Sequence, residues 1–163
     1  MSELQPSWLS TPAAGVGVPG LAPPLNLVPD LAQGYEVFLS SLKGVEGVPL
    51  RLLELGRVRI ALIHDCQPQL DVAHALAPLT PADRAALERI ELSAFDAAEQ
   101  ATLAIAEKIP LAHHDITDAE VEALKAPLGE RPAMAVIVAL SFFDVQCRLS
   151  QTLRAPEPSD RES

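Results

Sequence analysis

The chain has 163 residues, 48% hydrophobic but only 4% aromatic, with 12 Lys and Arg against 22 Asp and Glu, for a formal net charge of −10. That length suits one domain with loose ends, able to bury roughly two thirds of its unfolded surface. The acidic balance repels a phosphate backbone and an anionic lipid surface, so neither nucleic acid nor a membrane is an expected partner. Ala and Leu outnumber the β-branched and aromatic residues, which favours helices because their side chains lose little rotamer freedom there. The expected class is all-α.

Residues 1–26 hold Pro6, Pro12, Pro19, Pro23 and Pro24 among Gly, Ala and Ser. Such a mixture sustains neither a strand ladder nor an amphipathic face, so these residues are read as an extended arm, with Trp8 and Leu9 as a small anchor. No basic region precedes an apolar stretch, so a secretory leader is not expected. Cys66 and Cys147, the chain's only two cysteines, are too few for a disulfide framework. A reducing, cytoplasmic setting is therefore expected.

The helical domain is assigned to residues 27–154. Pro29 starts a first helix to about Lys43, closed by Gly44, Gly47 and Pro49. The second, about Leu50 to Cys66, sets Leu52, Leu55, Val58, Leu62 and Cys66 along one stripe at three- and four-residue spacings. Pro68 opens a short helix. Three capping signatures follow, each pairing a Thr or Asp with an acid three residues later: Thr80 with Asp83, Asp96 with Glu99, and Thr117 with Glu120. They predict helices through Ile90, up to Pro110, and to about Ala126, just ahead of Pro127. The last helix, about Arg131 to Leu153, is apolar nearly all round from Ala133 to Phe143, as befits a central or interface element. No apolar run reaches the roughly 18 residues of a membrane span. Residues 155–163, with Pro156, Pro158 and mixed charges, are expected to be a disordered tail.

Candidate chemistry gathers where the second helix ends, in the run from Ile63 through His64, Asp65 and Cys66 to His74. A thiol at a helix junction can be activated as a thiolate by a positive neighbour or by backbone N–H groups. The same Cys66 also suits a core position on an apolar stripe. His64, two residues away, would not face it on an unbroken helix. His64, Asp65 and His74 are also candidate acids or bases for a pocket. Arg57 and Arg59 read as salt-bridged flanks. His113 and His114, beside Asp115, lack a third ligand at helical spacing, so a solvated loop is expected there and no metal or other cofactor anywhere.

Three stretches, Leu50 to Ala61, Leu79 to Leu87 and Ala97 to Glu107, followed by Ile116 to Leu124 and Val136 to Arg148, stand in an order that resembles the carboxymuconolactone decarboxylase family. The likeness is to its AhpD-like, peroxidase-related branch, over about residues 27 to 153. The resemblance implies an AhpD-like bundle of about six to seven helices and a homo-oligomer, as dimer, trimer or hexamer. It also implies thiol peroxidase chemistry from a Glu, a Cys-x-x-Cys pair and a His four residues after the second Cys. Glu54 and Cys66 match two of these. Gln69 stands at the second Cys and Ala73 at the His, with His74 one place late. In such a pair one thiolate attacks the peroxide and the other resolves the sulfenic acid, and the family pattern assigns the attack to the second position, here Gln69, so this site is incomplete. Cys147 is an alternative resolving thiol if the last helix passes the site. The candidate site is thus Cys66, Glu54, His74 and His64. On an unbroken helix Glu54 would lie about 18 Å from Cys66, so a shared site requires the helix to break between them or a neighbouring subunit to contribute. The expected function is altered thiol redox activity. The alternatives are a non-catalytic binding or scaffold protein on the same fold, with a small-molecule ligand, and a decarboxylase-like acid/base enzyme.

Overall fold

In the computed structural model, residue 25 and residues 27–72 and 76–153 are described. The N-terminal arm with Trp8 and Leu9, the C-terminal tail, and Ala73 with His74 lie outside them. Seven α-helices follow in order: α1 Pro29–Lys43, α2 Leu50–Ile63, α3 Gln67–Leu70, α4 Pro81–Arg89, α5 Ala97–Ala112, α6 Asp118–Leu128 and α7 Glu130–Thr152. Short 3-10 turns occupy Leu92–Ala94 and His113–Asp115, and no strand occurs among the described residues. The molecule is an all-α bundle, as composition and punctuation predict.

Side-chain caps fix where three of these helices begin. Thr80 accepts the Asp83 N–H at 3.1 Å while the Asp83 carboxylate accepts the Thr80 N–H at 2.8 Å. Asp96 and Glu99 repeat the exchange for α5, and Thr117 and Glu120 for α6. Each reciprocal pair satisfies two backbone donors that the first helical turn would leave orphaned. Arg51 of α2 then grips two of the caps at once, bonding the Asp83 carboxylate at 3.0 and 2.8 Å and Glu99 at 2.6 Å. That guanidinium, helped by the Thr80 N–H and hydroxyl, holds the Asp83 carboxyl well below the usual carboxylate range.

From Leu52 to Ala61 every residue of α2 is buried. The helix runs through the centre of the bundle and packs chiefly against α5 and α7. On one side Leu53 and Ile60 meet Ile105, Val136, Leu140 and Phe143. On the other, Leu55 and Val58 meet Leu79, Leu87, Phe95 and Leu103. Gly56 permits the close approach of α7: a Cβ there would lie 2.2 Å from Leu140 Cδ2, far inside van der Waals contact. By contrast α1 buries only Leu42. It leans on α7 through Phe142, whose ring lies 4.6 Å from that of Tyr35 and 4.5 Å from that of Phe38. An 18-residue window of α7 has mean hydropathy 1.5, enough by length and composition to cross a membrane. Its inner face, with Ala133, Val136, Ala139, Leu140 and Phe143, is committed to this chain's own core.

Helix ends depart from expectation in two ways. α5 continues past Pro110 to Ala112 and α6 past Pro127 to Leu128. Each proline sits in the last turn, where the missing N–H costs a single backbone bond, and Pro110 is itself buried, its carbonyl accepting from Arg148 Nη2 at 2.8 Å. Conversely, α4 stops at Arg89 because Ile90 turns left-handed, with φ 57°. The Ile90 N–H bonds Leu87 O and the Glu91 N–H bonds Ala86 O, a Schellman closure. A β-branched residue pays a steric cost in that region which glycine escapes. Ile90 is 54% exposed, so little packing is lost on its removal. Ile90→Gly should therefore stabilise the fold by about 1 kcal/mol, seen as a higher urea midpoint at unchanged slope. A midpoint at or below that of the parent would refute the strain.

Candidate thiol site

The corner that presents Cys66 is built by the end of α2. The Asp65 N–H bonds Leu62 O at 3.1 Å and the Cys66 N–H bonds Ala61 O at 2.9 Å, with Asp65 left-handed at φ 49°. This is again a Schellman closure, here with Asp where Gly is usual. The helix expected to reach Cys66 ends at Ile63, the chain reverses, and Cys66 becomes the residue from which α3 starts. The break that a shared site requires is present.

Glu54 is wholly buried and meets Arg57 one turn on, in a two-pronged pair: Nε to Oε2 at 2.9 Å and Nη2 to Oε1 at 2.8 Å. Arg57 also donates to Gln69 O at 2.5 Å and to Val72 O at 3.0 Å, while the Leu76 N–H donates to Glu54 Oε2 at 3.2 Å. Glu54 and Cys66 thus belong to one cluster, joined through Arg57 and the backbone of Gln69 rather than by direct contact. Arg59 is paired as expected, with Glu107 and with Leu87 O.

Cys66 faces α7. Its thiol donates to the carbonyl oxygen of Cys147 at 3.8 Å, with the Cys147 side chain close by, and both sulfurs are buried. That side chain, with the Gln69 N–H and the Ser150 hydroxyl, draws Cys66 down to about 7 against the opposing effects of burial and the Asp65 charge. The same proximity and burial push Cys147 up, so Cys66 is the more acidic sulfur. Gln69 is also buried, its Nε2 bonding Ser150 Oγ at 3.3 Å.

His64 turns to α7 as well, its Nε2 lying 2.6 Å from Asp144 Oδ1, and Asp144 also accepts from Arg148 Nε at 2.9 Å. Its side chain is engaged there rather than by Cys66. His74 lies outside the described residues, and Val72 and Leu76 line a cavity of about 40 Å³. Arg57, Gln69 and Gln146 supply its polar wall, with Leu39 and Phe143 on the apolar side. The Tyr35 hydroxyl, raised by burial and tempered by Gln146, has no hydrogen-bond partner of good geometry. Among the described residues no group of three or more His, Cys, Asp and Glu could hold a metal ion. His114 is exposed beside Asp115. The contributions of Asp144, Gln146 and Ser150 were not legible in the sequence; their only trace is that they are polar residues on an apolar helix.

A buried charge without its partner is costly. Glu54→Ala or Arg57→Ala should each destabilise the fold by about 3–5 kcal/mol, whereas Glu54→Leu combined with Arg57→Met should lose much less than the sum. Strictly additive losses in urea unfolding would show that the pair is not coupled. No family model, curated protein or solved structure matches the chain.

Proposed function

We propose that this chain is an AhpD-like, peroxidase-related protein of the carboxymuconolactone decarboxylase family with altered thiol chemistry, in which Cys66 reduces a small peroxide. The observation that carries the reading is Cys66 itself. It stands at the family's first cysteine position, so with Gln69 at the attacking position the attack passes to it, and it lies at the start of α3 with Cys147, Gln69 and Ser150 near its sulfur. In the reaction the sulfur attacks one peroxide oxygen, an S–O bond forms and the O–O bond breaks. The departing oxygen takes up the proton the thiol lost. The products are Cys66 sulfenic acid and water or an alcohol. Further support comes from the burial of Glu54 at the family's Glu position and from the small cavity of about 40 Å³ walled by Arg57 and Gln69, which favours a small oxidant such as hydrogen peroxide.

The reading includes a cytoplasmic setting and a homo-oligomer. Met134, Val138 and Val145 are exposed along α7, an apolar stripe that a second copy would cover. Light scattering should report an oligomer at micromolar concentration, and a clean monomer would remove that part.

After brief exposure to hydrogen peroxide, a sulfenic-acid trap such as dimedone should label Cys66 in Cys147→Ala and label nothing in Cys66→Ser. Hydrogen peroxide should act faster than cumene hydroperoxide. A folded Cys147→Ala protein whose Cys66 stays unlabelled would sink the reading. The second reading, a non-catalytic binding module, is favoured by the complete burial of Cys66, and it predicts ligand-dependent thermal shifts with no change at the thiol.

A further inference from the structure

We propose that Cys147 resolves the oxidised Cys66, so that peroxide turnover closes an intrachain disulfide between the α2–α3 corner and α7. The inference rests on the reading of Cys66 as the peroxide-reactive thiol and adds the partner that position 69 cannot supply. Gln69 has no thiol and is held to Ser150. Cys147, 81 residues away in sequence, is the chain's only other cysteine. The fold brings it against Cys66, whose sulfur lies 3.8 Å from the Cys147 carbonyl oxygen, with both thiols buried together in the core.

Burial makes this partner selective. Cys66 is 0% and Cys147 1% exposed, so the sulfenic acid meets the neighbouring Cys147 before an external thiol, which must wait for the corner to open. The cavity is walled by Gln69, three residues after Cys66, and by Phe143 and Gln146, which flank Cys147 on α7. In the resolving step the Cys147 sulfur attacks the Cys66 sulfur, the S–O bond breaks, and the hydroxyl leaves as water with the Cys147 proton. The balance is two thiols plus one hydrogen peroxide giving one disulfide and two waters, and an external dithiol restores the pair by exchange. The sulfurs must close to about 2.05 Å, a movement suited to a corner whose α3 is a single turn.

The test uses the full chain. One equivalent of hydrogen peroxide, followed by alkylation of remaining thiols, should give a product lighter by two hydrogens, with no alkylated cysteine and one cross-linked peptide pair joining Cys66 to Cys147. A dithiol should reverse it. Cys147→Ala, or Cys147→Val if the alanine variant unfolds, should instead accumulate trapped sulfenic acid on Cys66 and proceed to sulfinic acid in excess peroxide. The cross-linked form should also melt at a higher temperature than the reduced form, because the closed loop restricts the unfolded chain. The inference is overturned if the parent protein accumulates sulfenic or sulfinic acid on Cys66 while Cys147 remains alkylatable. That result leaves the reading of Cys66 standing. If Cys66 is inert in the parent and in both Cys147 variants, the underlying reading fails and the inference with it.

Discussion

The Glu54–Arg57 pair at the centre of the bundle governs the rest of the site. Ionised groups leave water only when they are paired and their remaining hydrogen-bonding capacity is used, and α2 carries Glu54, Arg57 and Arg59 through its most enclosed stretch. A guanidinium has five N–H donors, more than one carboxylate can take. Arg57 spends its surplus on the carbonyls of Gln69 and Val72, which draws the returning chain back along α2. Arg59 does the same on another side, reaching Glu107 of α5 and the carbonyl of Leu87 in α4. Arg51 reaches the caps of α4 and α5. The helix that must be most apolar to sit at the centre thus also determines, through its cations, where its neighbours lie.

The thiol corner follows from the same arrangement. Once Arg57 has fixed the backbone at Gln69, Cys66 at the start of that turn is set against α7, and His64 beside it falls opposite Asp144. The two helices therefore meet in a polar seam of His64 with Asp144, Cys66 with Cys147 and Gln69 with Ser150, set within an apolar core. Every partner on the α7 side lies far away in sequence, so the seam exists only in the folded chain.

That distinction separates what could be read beforehand from what could not. The three capping boxes were legible because both halves of each lie within four residues, and all three formed. The all-helical class was legible for a similar reason, since propensity and spacing are local. The end of α2 was not, because Asp65 takes the left-handed position without the glycine that would announce it. Prolines in last turns misled in the other direction, since packing of the helix end outweighs one lost bond. Within the site, Glu54 and Cys66 could be singled out by position, but the break that relates them, the choice of Asp144 by His64 and the contact with Cys147 are decided by tertiary packing, which no short window of sequence contains.

The contact between Gly56 and Leu140 bears on how such a chain can vary. The missing Cβ on α2 is filled by the terminal methyl of a fully buried leucine on α7, so the two positions share one volume. Neither can change freely. A larger residue at 56 becomes acceptable only after 140 has shrunk, and a smaller residue at 140 leaves a void until 56 has grown. The pair is thus a point of epistasis at the helix crossing beneath the thiol seam. Drift there must pass in coupled steps, and each step that moves the axes of α2 and α7 also shifts the register in which Cys66 meets Cys147.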